Sequence, residues 1–227
     1  MAGKGNKRHT FGLVAPKFYG IKRKEHKFIL AASPGRHSAD KVIPLALALK
    51  RVSVAATSRE VSKIVKPGNV RVNGKVVNDI AYPVGLNDVI SVKGSNSYIV
   101  GINDRGQSTV DAVEKPDLNA RLCKVVGKYK TKGNAIMIRL HDGVIAKAPK
   151  EVKVNDSVVI DSGLSVKKVL PMSKGSQCIV IDGVHVGMQG RISEIKKGSM
   201  SVRPSAVIAP KEGKEFETII SNIMVVG

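Results

Sequence analysis

Over the first forty residues, apolar positions are scattered among Gly, Lys, Arg and Pro with no sustained period, and the pattern tightens only from residue 41. There KVIPLALALKRV predicts a short helix in which Pro44 is tolerable only in the first turn. Thr57 stands three residues before Glu60, a capping-box spacing that opens a second helix over SREVSKIVK. Val61, Ile64 and Val65 fall on one face of that helix. Pro67-Gly68 ends it. The stretch GNVRVNGKVVND then reads as a hairpin, because Asn73-Gly74 between β-forming runs favours a two-residue turn with positive φ at both central positions. Tyr82-Pro83 and the turn Gly85-Leu86-Asn87-Asp88 lead into the strand VISV.

Beyond residue 93 the pattern changes to recurring strand-like runs: SYIVGI, LCKVVGKY, NAIMIRL, SVVIDS, QCIVIDGV, RISEIKK, SMSVRP and ETIISNIMVV. Turn signals separate them at Asn103-Asp104-Arg105-Gly106, Lys132-Gly133-Asn134, Asp142-Gly143 and Asn155-Asp156. Many short strands with regular turns predict small barrels or sandwiches. The expected fold class is an α+β domain of two short helices and a small sheet, preceded by an extended basic N-terminal arm and followed by mainly β domains. The expected divisions are an arm over 1–40, an α+β domain over 41–93, a central β domain over 94–172 and a last β domain over 173–227.

Charge then narrows the function. The 227 residues carry 38 Lys and Arg against 18 Asp and Glu, a net +20 with pI near 10.1. Self-repulsion of that size calls for a polyanionic partner, nucleic acid first and an anionic membrane surface second. The opening MAGKGNKRH has no apolar core behind its basic residues, so no secretory signal is expected. The longest apolar run, VIPLALAL, covers eight positions, whereas a spanning helix needs about twenty. Cys123 and Cys178 lie in apolar strand-like runs with no CxxC pair and no histidine at ligand spacing. They are expected to be buried, reduced and structural, which suits a reducing cytoplasm.

Residues 1–51 hold twelve Lys and Arg but only Glu25 and Asp40, a net of +10, which is half the excess of the whole chain. Residues 93–227 are milder, with 21 basic and 13 acidic side chains. A leading segment this poor in apolar surface is expected to order on a charged partner. Lys4, Lys7, Arg8, Lys17, Lys22, Arg23, Lys24 and Arg36 are the candidates to lie along phosphates, with Phe11, Phe18 and Tyr19 available to pack on bases or sugars. In the α+β domain the candidates are Lys50, Arg51, Arg59, Lys63, Lys66, Arg71 and Lys75. Arg59, Lys63 and Lys66 recur at four and three residues, which lines them along one helix face. A charged helix face is often only solvated surface; here cations come from two helices and a hairpin, which predicts one shared basic surface.

The run ALALKRVSVAATSREVSKIVKPGNVRVNGKVVNDIAYPVGLNDVISV resembles the S-four-type RNA-binding domain: a helix, a Ser-Arg opening a second helix, G-x-V-x-V-N-G-K, and a G-x-D turn before a strand. The approach segment ASPGRHSADKVIPLALALK, and further on MIRLHDGVIA and EVKVNDSVVID, are similar to the archaeal and eukaryotic "e" family of small-subunit ribosomal protein four. GSQCIVIDGVHVGMQGRISEIKKG, with Gly183, Gly187 and Gly190 between two apolar strands, resembles that family's C-terminal KOW motif, which implies an SH3-like barrel. The family usually has a Gly-Gly-Arg-Asn run in this loop, where this chain has Asp182-Gly183-Val184-His185 and so lacks the arginine.

The resemblance implies a non-catalytic structural constituent of the cytoplasmic small ribosomal subunit that supports assembly and translation. Its implied partners are small-subunit ribosomal RNA and neighbouring ribosomal proteins, with no cofactor, metal, membrane or small-molecule substrate. The residues agree in offering little for catalysis. There is no phosphate loop, no G-x-G-x-x-G after a strand and no G-x-S-x-G. His141-Asp142 beside Gly143 reads as a hairpin turn. An RNA-modifying enzyme that borrows the same RNA-binding domain would need a catalytic domain, and the 135 residues after residue 92 read as small β modules. A KOW-bearing transcription factor would leave the basic arm unexplained.

Overall fold

The computed structural model describes residues 8–113, 120–131, 133–161, 163–210 and 213–227. The chain divides into two units, one of residues 1–101 with 107–118 and one of residues 102–106 with 119–227.

The first unit carries both helices. Val42–Pro44 is a strand rather than the first turn of a helix, paired antiparallel with Pro83–Gly85 so that Ile43 lies opposite Val84. Two β-branched residues followed by proline explain the difference: the residue before Pro is driven to extended backbone, and the helix starts only afterwards. That helix, α1, spans Leu45–Arg51 and buries Leu45, Ala46, Ala48 and Leu49. The second, α2, spans Ser58–Val65 and has the capping box the spacing predicts. The Thr57 hydroxyl accepts the Glu60 N–H at 3.3 Å, and the Glu60 carboxylate accepts the N–H groups of Ala56 and Thr57. These bonds, that of Ala56 foremost, hold the Glu60 carboxyl below the usual carboxylate range. Val61 and Val65 are buried, with Ile64 half-buried beside them.

A five-stranded antiparallel sheet runs in the order Lys75–Val76, Val70–Val72, Val89–Val92, Ser97–Ile102, Ser108–Val113. The α+β fold therefore continues past residue 93, because SYIVGI pairs with VISV, Val89 opposite Ile99, and gives that strand its second neighbour. The hairpin turns on Asn73 (φ 51°) and Gly74 (φ 80°), both in the left-handed region as its sequence demands.

The leading segment is more than an arm awaiting a partner. His9–Phe11 pairs with Phe28–Leu30, and Ala15, Phe18 and Tyr19 are buried. The Tyr19 hydroxyl accepts the Ala32 N–H at 3.0 Å. Residues 33–37 are then stitched to the far side of the hairpin: Ser33 N–H donates to the Ala81 carbonyl at 2.7 Å and its hydroxyl to Asp79 at 3.0 Å. The stitching ends at Asp88, a buried carboxylate that meets His37 Nε2 at 2.9 Å, the Asn73 amide at 2.6 Å and the Gly85 N–H at 2.9 Å. Few apolar residues suffice here because they pack on a neighbouring domain instead of forming a core of their own.

The second unit contains two five-stranded antiparallel sheets. One is ordered Ile145–Lys147, Ile136–Leu140, Ala120–Lys130, Ser157–Asp161, Val166–Leu170 around Val125, Ile138, Val152, Val158 and Ile160. The other is ordered Phe216–Ile219, Ser205–Pro210, Gln189–Lys196, Gln177–Val180, Ile223–Val225 around Val180, Ile192, Ile208 and Ile223. Lys124, buried in the long strand of the first sheet, donates to the carbonyls of Ile220 (2.8 Å), Ser221 (2.7 Å) and Ile223 (2.6 Å), three acceptors for the three N–H groups of an ammonium. It thereby fastens the 3-10 turn Ile220–Asn222 of one sheet to the other. Cys123 and Cys178 are both buried, and burial pushes the Cys178 thiol up to about 11.

Two expectations follow. Lys124→Met should lower the stability of the intact chain by about 3 kcal/mol in denaturant unfolding, since buried carbonyls lose a charged donor. An unchanged midpoint would refute the staple. Burial alone would raise the Asp88 carboxyl, but the hydrogen bond and charge of His37, with the Gly85 N–H and the Asn73 amide, outweigh it and hold it below the usual range. The unfolded state then binds the proton more readily, so this stabilisation is complete above about pH 4 and disappears as pH falls through the depressed value. Asp88→Asn should be less stable near neutrality and show a flatter loss of melting temperature on acidification; parallel acid limbs in the two proteins would contradict this.

Candidate nucleic-acid interface

The candidate surface starts with α2. Burying Val61 and Val65 turns Arg59, Lys63 and Lys66 outward, and all three are exposed. With a rise of 1.5 Å per residue the row runs roughly 10 Å along the helix axis, and neighbouring positions in it are separated axially by less than the ~8 Å screening length at physiological salt. Glu60, the acidic residue of this helix, has its carboxylate hydrogen-bonded in the cap, and the charge of Lys63 acts on it only as the weakest of its interactions.

Both ends of the row meet further cations. At the N-terminal end Lys50 Nζ, from α1, donates to Ser58 Oγ at 2.8 Å, immediately beside Arg59. At the C-terminal end Gly68 sits against Val76 and Asn78, so a Cβ there would lie 3.2 Å from the Val76 side chain. Lys66, two residues before Gly68, and Lys75, next to Val76, are thus brought to one end of the domain. Arg71 points away from the core because Val70 and Val72 point into it, and Arg71 and Lys75 are both exposed.

Two candidates have other employment. Arg51 turns inward: Nη1 donates to the Ser108 carbonyl at 2.7 Å and hydroxyl at 2.5 Å, and Nη2 to the Tyr19 carbonyl. Burial lowers its pKa, and the Ser108 hydroxyl in turn donates to the Phe18 carbonyl at 2.8 Å. Arg51 ties the leading segment and the last strand of the sheet to α1. It is corrected here from a phosphate contact to an internal brace, since its donors are aimed at backbone carbonyls. Arg36 is half-buried and donates to the Tyr82 hydroxyl at 3.3 Å.

In the leading segment Arg8, Lys17, Lys22, Arg23 and Lys24 are exposed, while Lys4 and Lys7 lie outside the described residues. The expectation that Phe18 and Tyr19 offer their rings to a partner is overturned, because both are in the core at 5% and 3% exposure. The rings that face solvent are Phe11 (53%) and Phe28 (56%), packed on each other with centroids 4.9 Å apart, with Lys27 Nζ 5.7 Å from the Phe28 centroid. Phe28 and Lys27 are additions to the predicted set. Their signal in the sequence was short: KFIL alternates only once the strand is paired with HTF.

His141-Asp142 is a hairpin turn, as predicted. Asp142 accepts the Val144 N–H at 3.0 Å and pairs with Arg121 at 2.8 Å, both groups almost fully buried. The loop between Gln177–Val180 and Gln189–Lys196 has Gly187 at φ 85° with no room for a Cβ against the backbone of Asn103 in the same unit. That glycine is required by packing within the chain. Val184 at the loop tip is 92% exposed, and His185 stacks on Phe216 with centroids 4.2 Å apart. Among the described residues no group of His, Cys, Asp and Glu is arranged to hold a metal ion, and no helix is long and apolar enough to cross a membrane.

Residues 4–40 match the RS4NT domain, 43–90 the S4 domain and 95–163 the ribosomal family S4e. The chain is 34% identical to the small ribosomal subunit protein eS4 of Methanocella arvoryzae, covering 96% of this chain and 94% of that protein. It is 35% identical to the eS4 of Methanocaldococcus jannaschii, covering 100% and 97%. The crystal structure of the 30S ribosomal protein S4e from Thermoplasma acidophilum superimposes with a TM-score of 0.67 at 27% identity, over 83% of this chain and 96% of that one. With an S4 domain that presents a row of cations between a helix and a hairpin, and with near full-length relatives of one kind, the chain belongs to the S4e family of ribosomal proteins.

Proposed function

We propose that this protein is a structural, non-catalytic constituent of the small ribosomal subunit, which it enters by binding ribosomal RNA through the outward face of α2 and the adjoining hairpin. The observation that carries the proposal is the row Arg59, Lys63, Lys66, exposed on a helix whose own acidic residue is already engaged and flanked by Lys50 at one end and by Arg71 and Lys75 at the other. Cations on phosphates release condensed counterions, which drives binding and makes it steep in salt. Folded RNA presents backbone, 2′-hydroxyls and unstacked bases, so most contacts at this face go to phosphate and sugar. Arg8, Lys17, Lys22, Arg23 and Lys24 extend the same footprint along the leading segment. The sheets of the second unit add surface for neighbouring ribosomal proteins. The protein works in the cytoplasm as part of the ribosome, supporting subunit assembly and translation.

Arg59→Ala and Lys63→Ala should each weaken binding to small-subunit ribosomal RNA and flatten the log–log salt slope by ~0.7 to 0.9, with thermal unfolding unchanged. An unaltered affinity and slope in both variants would remove the helix face from the interface. Cutting off residues 1–40 would also remove Phe18, Tyr19 and His37 from the fold, so charge neutralisation tests the segment better. Replacing Lys22, Arg23 and Lys24 together by Gln should reduce co-sedimentation with small subunits in a sucrose gradient at moderate salt. Full co-sedimentation would exclude this segment from the footprint.

A further inference from the structure

Between the leading segment and α1 lies an open cleft of about 580 Å³, within the ~300–1,000 Å³ range of small-ligand sites. Its walls mix two chemistries. Phe28, Ile29 and Leu47 are apolar, whereas Lys22, His26 and Lys50 are basic, and Glu25 is the carboxylate in the lining. Phe28 is 56% exposed and is held by Phe11 on the paired strand and by Lys27 alongside, so a large aromatic ring is kept facing solvent in a fixed setting. An accessible aromatic ring beside cations is the kind of platform on which a nucleobase stacks. Lys50 spends one N–H on Ser58, and its other two have no acceptor among the described residues. Ser58 also lines the cleft, so the cleft opens directly beside Arg59 and the cation row.

An apolar peptide seated here would cover Lys22 and Lys50 without pairing them. A nucleotide satisfies both chemistries, with a flat base against the ring and aliphatic side chains and an anionic phosphate within reach of the ammonium groups. We infer that this cleft receives one unpaired nucleotide of the RNA, its base stacked on Phe28 and its phosphate on Lys22 and Lys50. The inference rests on the proposed RNA-binding reading and adds to it a contact with a base, where the helix face contributes contacts with the backbone.

Three RNA hairpins test it with the full-length protein: a perfect stem, the same stem with one bulged adenosine, and the same bulge made abasic. The wild type should bind the bulged hairpin about tenfold more tightly than either of the others. Phe28→Ala should abolish that preference while leaving the salt slope and the affinity for the perfect stem as they were. Phe28→Leu keeps the apolar packing of the strand pair and should lose the preference as well, which separates stacking from a failure to fold. If both variants prefer the bulge as the wild type does, or if the wild type binds all three alike, the nucleotide site is wrong although the cation row stands. If none of the hairpins, nor small-subunit ribosomal RNA itself, binds at low salt, the RNA reading falls and the cleft assignment with it. If the Phe28 variants instead lose only co-purification with other ribosomal proteins, the cleft takes a protein segment and the inference is overturned.

Discussion

The carboxylate of Asp88 is the constraint on which the first unit depends. It is buried, and a charge in that position is tolerable only if its oxygens are fully engaged. They are, by His37 from the leading segment, Asn73 from the hairpin turn and the N–H of Gly85 from its own turn. Asn73 answers in kind, its side-chain oxygen accepting the Val89 N–H at 2.9 Å. One acidic group thus fixes the turn that carries Lys75, the start of the strand behind it and the far end of the basic segment. Two parts of the chain that present cations, and the strand between them in the fold, are tied to a single buried anion.

That arrangement explains how a domain so rich in positive charge stays organised. The acidic side chains nearest the candidate surface are used inside the fold: Asp88 in its network, Glu60 in the helix cap, Asp79 on Ser33 and the Ala81 N–H. Their hydrogen bonds go to backbone N–H groups and to side chains of the fold, and the charge of Lys63 on Glu60 is a minor contribution beside them. The outward cations remain for a partner, and their mutual repulsion, screened by salt, is relieved when phosphates approach. Arg51 illustrates the opposite choice, since its fixed fork of donors suits backbone carbonyls converging from two segments.

The second unit uses a cation differently again. Lys124 sits between the buried Cys123 and Val125, and its ammonium is matched donor for acceptor by the carbonyls of Ile220, Ser221 and Ile223. A point charge with rotatable donors suits that cage, where a planar guanidinium would not. The Arg121–Asp142 pair stiffens the hairpin that the sequence presents as a tempting His-Asp dyad. Positive side chains in this protein therefore divide into those that hold it together and those left to face outward, and composition alone cannot separate the two.

What the sequence by itself determined is the local chemistry. Asn73-Gly74 dictated the turn, Thr57 and Glu60 the cap, the 3.6-residue spacing of Val61 and Val65 the outward row of cations, and the run of turn signals the β character of the remainder. Each is a contact between residues close in the chain, so its cause is written in adjacent letters. Tertiary structure alone decided which cations were free, which rings were buried, and where the first unit's sheet ended. Arg51 meets Ser108 and Tyr19, Lys124 meets Ile220 and Ile223, and His37 meets Asp88 across dozens of residues, with no periodicity to announce them. Phe18 and Phe28 look alike in a basic segment, and only packing against the rest of the domain puts one in the core and leaves the other in solvent.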